Sequence, residues 1–142
     1  MTTHVLVPLD GSAHSMRALD HALDEMGDAT ITVFHVIDPV DAVYESALGG
    51  LSDAEAWYDD RIAATEDLFD RARAAADDAG VALRTATAVG DPGREIVRHV
   101  AEHDIDHVVM GSHGRSGLSR IALGSVAERV LRRADATVTV VR

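Results

Sequence analysis

The chain has 142 residues, 46% of them hydrophobic and only 4% aromatic, which suits one domain with a core of Val, Leu, Ile and Ala. It carries 24 acidic and 13 basic residues, a net charge of −11, so it lacks the basic face that a nucleic-acid partner requires. With no cysteine it forms neither disulfides nor thiolate metal sites, and no stretch approaches the roughly 18 apolar residues of a membrane span.

His4 to Leu9 reads as a first strand buried on both faces. Pro8 within it is acceptable only where a ladder donor is not needed. Asp10-Gly11-Ser12 turns the chain, and Ser12 is a good N-cap for a helix running to about Met26. Met16, Leu19, Leu23 and Met26 share one face of that helix, and Gly27 ends it. Thr30 to Ile37, rich in β-branched residues, is a second strand stopped by Asp38-Pro39.

Residues 39 to 52 show no strong period, and Ala47-Leu48-Gly49-Gly50 reads as a mobile connection. Ser52 or Asp53 then caps a long helix through Ala79, with a stripe of Tyr58, Ile62, Phe69, Ala72, Ala76 and Ala79, closed by Gly80. Val81 to Val89 is a third strand. Gly90-Asp91-Pro92-Gly93 opens a short helix that turns Ile96, Val97 and Val100 inward. His107 to Met110 is a fourth strand, a last helix follows Gly124, and Thr137 to Val141 is a fifth strand. Alternation of strands and helices gives a Rossmann-like α/β fold, a parallel sheet covered on both faces. Its ligands sit beyond the carboxyl ends of the strands, where the strand order reverses.

The most specific stretch is Gly111 to Ser125. Four glycines fall between Gly111 and Gly124, after the apolar run His107-Val108-Val109-Met110 and before a helical pattern starting at Val126. Glycine admits an anion to the backbone, and the first amides of a helix point at it. A plain strand-to-helix connection would show the same glycines. A Walker A loop is excluded, because the chain contains no lysine. A dinucleotide G-x-G-x-x-G string is also absent.

The spacing that does occur is Gly111, two residues, Gly114, nine residues, Gly124-Ser125. It resembles the nucleotide-binding signature of the universal stress protein superfamily, most closely the ATP-binding branch. Agreement extends to an opening strand ending in Pro8 and Asp10, to His35-Val36-Ile37-Asp38, to Gly90-Asp91-Pro92 and to the terminal strand. The resemblance implies one universal stress protein domain over residues 1–142, with five strands in the order 3-2-1-4-5. It implies ATP as ligand, with or without Mg2+, and a homodimer formed through strand 137–141.

The resemblance also implies site roles. Pro8, Leu9 and Asp10 end the first strand, where Asp10 accepts from the ribose hydroxyls or caps the first helix. Val36 and Met110 line the adenine slot, or serve as core. Gly111 and Gly114 bring backbone amides to the phosphates, Gly124 is a further binding residue of the motif, and Ser125 with the Val126 amide holds phosphate, unless Ser125 is a simple N-cap. Arg115 reaches the terminal phosphate or points into water. His113 touches phosphate or is an exposed tip.

Other patterns carry less. His99 and His103, four apart on a helix, have a metal-binding spacing but no evident third ligand, so we expect an exposed face and no metal. Asp10, Ser12 and His14 have the residue types of a hydrolase triad without its nucleophile elbow. The expected function is a regulatory stress-response module that binds ATP and hydrolyses it slowly if at all. The alternatives are a Mg-dependent ATPase or phosphotransferase using Asp10, and a nucleotide-free interaction module. The N-terminus enters a strand at once, without a signal peptide, so a cytoplasmic location and no membrane partner are expected. All 13 basic residues are Arg, and Asp outnumbers Glu 17 to 7. That balance fits a GC-rich codon bias, or a halophilic protein whose carboxylate repulsion is screened within about 3 Å at 1 M salt.

Overall fold

The computed structural model describes residues 2–47, 54–113 and 123–142. Five strands, β1 (His4–Pro8), β2 (Thr30–Ile37), β3 (Leu83–Val89), β4 (His107–Gly111) and β5 (Thr137–Val141), form one parallel sheet. Their order is β3-β2-β1-β4-β5, as the resemblance implied. The helices are α1 (Ala13–Glu25), α2 (Pro39–Ala47), α3 (Ala54–Ala79), α4 (Pro92–Glu102) and α5 (Ser125–Arg133).

The two-residue period of each strand divides the core into two layers. Val5, Val7, Ile31, Val33 and Val109 meet Leu19 of α1 and Phe69 of α3 on one face. Leu6, Phe34, Val108 and Met110 meet Ile96 and Val100 of α4 and Val130 of α5 on the other. Central strands carry apolar side chains on both faces because helices cover both. The helix starts follow local chemistry. Ser12 caps α1 by accepting from Ser15 N–H, and Asp91 caps α4 by accepting from Arg94 N–H, with Pro92 at the first turn.

Three expectations need correction. Residues 39 to 47 are helix, although they show no apolar period. The Asp38 carboxylate accepts from Val40 N–H at 3.0 Å and Pro39 starts the turn, while Val40 and Val43 are 68% and 71% exposed, so no apolar stripe marks the helix. On α3 the buried line is Trp57, Thr65, Leu68, Phe69, Ala72 and Ala76; Tyr58 and Ile62 are exposed instead, as is Ala79. Polar Arg61 and Thr65 lie on the buried line and break its apolar pattern. Strand β3 begins at Leu83 rather than Val81. Residues 48 to 53, including the expected cap at Ser52 or Asp53, lie outside the described residues.

His99 is not on a fully exposed face. Its ring lies 4.5 Å from that of Phe34 and 3.9 Å from that of His103, stacked on it. Among the described residues no cluster of three metal-ligating side chains occurs. Burial, then the neighbouring His103, holds the His99 imidazole below its ordinary value, with Glu102 opposing. Burial, then His21, lowers His107. The unfolded chain therefore takes up these protons at higher pH than the folded one. Stability is lost as pH falls below the unfolded value, about 6.5, toward the depressed folded values. The melting temperature should fall between about pH 7.5 and about pH 5.5, and His99→Gln should flatten that fall. Parallel pH profiles for parent and variant would remove His99 from the account.

Candidate functional site

The strand order reverses between β1 and β4, and the sequence parts these strands there. Leu9 N–H donates to Phe34 O at 2.8 Å, so Leu9 turns its backbone toward β2 and the preceding Pro8 turns toward β4. Pro8 has no N–H to give. Paired positions between β1 and β4 end at Leu6 and Val108, whereas β4 stays with β5 as far as Gly111 and Val141. A cavity of about 720 Å³ opens at the carboxyl ends of the strands. Its volume is within the usual range for a small organic ligand.

The structure gathers ten of the twelve expected site residues around this cavity. Pro8, Leu9 and Asp10 come from the end of β1, Val36 from β2, and Met110, Gly111 and His113 from β4 and its exit. Gly124, Ser125 and Val126 come from the start of α5. Gly114 and Arg115 lie outside the described residues. Sequence reasoning missed Phe34, which shares the β2 face of Val36, Asp38, which follows β2, and Asp41, which α2 brings to the cavity wall. It also missed Ser15 and Ser112, both buried polar residues on the same wall. Two-residue alternation beyond Val36 could have signalled Phe34; nothing local signalled the serines.

Asp10 Oδ1 accepts from Ser12 N–H at 2.9 Å, a local turn that fixes where the carboxylate sits. Gly111 has a packing role besides its place at the cavity. A β-carbon there would lie 2.8 Å from both the carbonyl carbon and the Cβ of His14, so its missing side chain lets α1 approach β4. His113 is not an exposed tip, being only 8% exposed. Its Nδ1 lies 3.0 Å from Ser112 Oγ, its ring lies 5.4 Å from that of His14, and its buried Nε2 has no partner among the described residues.

The N-cap of α5 is Gly124, not Ser125, and no side chain among the described residues caps the helix. Gly124 N–H donates to Ser112 O at 2.7 Å, and Gly124 O accepts from Glu128 N–H at 2.9 Å. The helix start is thereby pinned to the exit of β4. Its first amides, with their partial positive charge, face the cavity end lined by Ser125, Val126 and Ala127. One cavity thus combines an apolar slot (Val36, Phe34, Met110), a fixed carboxylate and an uncapped helix N-terminus. These suit an aromatic base, a polyol and an anion in turn.

The sequence model of the universal stress protein family matches residues 1–142. The universal stress protein YxiE of Bacillus subtilis is 34% identical, covering 100% of this chain and 100% of its own. The universal stress protein MJ0577 of Methanocaldococcus jannaschii is 28% identical, covering 100% of this chain and 96% of its own. Its solved structure superposes with a TM-score of 0.82 over 99% of this chain and 96% of that one. A solved universal stress protein in complex with cAMP superposes with a TM-score of 0.68 at 25% identity, covering 99% of this chain and 96% of that one.

Proposed function

The chain belongs to the universal stress protein family, and we propose that it binds an adenine nucleotide, ATP, in this cavity and acts as a dimeric regulatory stress-response module. The observation that supports this most is the uncapped start of α5 in the same cavity as Asp10 and the apolar slot. A family relative solved with cAMP supports the adenine part of the reading. The base lies between Val36 and Met110. Asp10 accepts from the ribose diol, which an ionised carboxylate can do with two oxygens. The phosphates meet Gly111, His113, Gly114 and Arg115, then Gly124, Ser125 and the Val126 amide. The carboxylates of the wall, Asp10, Asp38 and Asp41, do not form a three-ligand metal cluster. Mg2+ would therefore arrive on the nucleotide, held by phosphates and water. Denaturing the purified protein and identifying the released ligand by mass tests this reading. An adenine nucleotide is expected, and a ligand of another class in its place contradicts it.

The dimer reading rests on β5. It is an edge of the sheet, and four of its five residues are half-buried in the single chain. An uncovered apolar edge is a pairing hazard that a two-fold partner would remove. Light scattering at micromolar concentration should return twice the chain mass; a monomer contradicts this.

The acidic surface is read as an adaptation to a salty cytoplasm. No described helix is long and apolar enough to cross a membrane. The unfolding midpoint should rise between 0.1 M and about 2 M KCl as carboxylate repulsion is screened. Equal midpoints would leave the acidic balance without that role.

A further inference from the structure

A second, smaller cavity lies on the α3 side of Asp10, with a volume of about 160 Å³. Arg61, Ala64, Leu68 and Arg71 of α3 line it together with His35 and the Asp10-Gly11 turn. Those four α3 positions are spaced by three, four and three residues, one face of a helix. The cavity is separate from the nucleotide reading: its other lining residues take no part in the larger cavity, and only Asp10 is shared.

The cations here have no ion-pair partner among the described residues, in a chain dominated by acids. Arg73 pairs with Asp70, Arg98 with Glu102, Arg129 with Asp91 and Arg132 with Glu128. Neither Arg61 nor Arg71 forms an ion pair or a side-chain hydrogen bond with a described residue. Arg61 Nε is buried and has no partner among the described residues. One turn earlier on α3, the indole Nε1 of Trp57 is also buried without a partner among the described residues. A buried donor left unmade is costly, and a guanidinium is always charged. His35 Nδ1 lies 2.7 Å from Leu9 O. A carbonyl only accepts, so that nitrogen carries the proton and the ring is held in place. The Asp10 carboxylate, tied to Ser12 N–H, is outnumbered by the two guanidinium groups.

We propose that this cavity binds a small tetrahedral oxyanion, inorganic phosphate or the phosphoryl group of a monoester, between Arg61 and Arg71. Planar guanidinium forks match phosphate oxygens in pairs. The volume lies below the roughly 300 Å³ at which pockets for whole organic ligands begin. It therefore suits a phosphoryl group and not a nucleotide. A net charge of −11 repels anions from the surface at large, so saturable phosphate binding calls for a local cationic site of this kind.

The test is a titration of the intact 15N-labelled protein with inorganic phosphate, against sodium chloride at equal ionic strength. Phosphate should move the Arg61 Nε–H signal saturably, and chloride should not. Arg71 is exposed, so Arg71→Met should fold normally and weaken phosphate about tenfold, the loss expected for one charge-assisted contact. Glycerol phosphate in a parallel arm separates the sources: binding as tight as free phosphate assigns a phosphoryl head group, and weaker binding assigns the free ion. A still Arg61 signal overturns the proposal, as does an unchanged affinity in folded Arg71→Met. Shifts confined to the Val126 and Ala127 amides place the ion in the larger cavity and also overturn it. ATP binding is scored on those amides, so the two readings fail separately.

Discussion

Gly111→Ala is expected to destabilise the protein by about 3 kcal/mol, lowering the melting temperature by about 10 °C. The new methyl carbon would fall 2.8 Å from the His14 carbonyl carbon and Cβ and 3.0 Å from its oxygen. Two of those atoms are backbone of α1, which cannot rotate away as a side-chain end can. Relief requires α1 to lift from β4, and with it Ala18, Leu19 and Ala22, which are fully buried in the layer beneath. Gly11→Ala is the matching control. Gly11 has φ +83°, but a β-carbon there meets nothing within 4 Å. Its cost is the left-handed backbone alone, about 1 kcal/mol. Similar thermal melts for the two variants would refute the packing role of Gly111.

Asp10→Asn should weaken ATP about thirtyfold, or about 2 kcal/mol, while leaving the fold intact. Asparagine keeps an oxygen for the Ser12 N–H, so the turn that Asp10 Oδ1 now makes at 2.9 Å can persist. What it loses is the charge and one of two acceptors facing a vicinal diol. The loss should therefore be much smaller for 2′-deoxy ATP, which offers one hydroxyl fewer. Calorimetric titration of parent and variant with both nucleotides measures this. An equal loss for both would move Asp10 away from the ribose and back to capping alone.

The readable parts of the chain were those where one physical cause dominated. β1 and β4 stood out because helices cover both faces, which makes Val5-Leu6-Val7 and Val108-Val109-Met110 apolar without interruption, and β2 stood out by its β-branched residues. α1 and α4 announced their starts through Ser12 and Asp91. α2 was hidden because its Val40 and Val43 face outward, leaving the Asp38-Pro39 start as the only signal. The α3 stripe was misplaced by one residue at Tyr58 because Trp57, buried at 4% exposure, shares its line with polar Arg61 and Thr65. The strand order came from the family likeness, since alternation alone does not choose among the orders of a parallel sheet.

The site was legible where it lies on one continuous segment or at a strand end, as Asp10, Gly111 and Ser125 do. Phe34, Ser15, Asp38 and Asp41 reach the cavity through the packing of β2, α1 and α2, which no local pattern encodes. Gly111 shows a further limit. Its spacing with Gly114 suggested an anion, yet the contact that a side chain would violate is with His14. A glycine kept for packing and one kept for an anion look alike in sequence.

Calorimetric titration of the folded parent protein with Mg-ATP, beside a thermal melt with and without the nucleotide, decides whether the chain is a nucleotide-binding protein. A saturable heat with one nucleotide per chain and a raised melting temperature are expected. A folded protein that gives no heat and no thermal shift with millimolar ATP would contradict it.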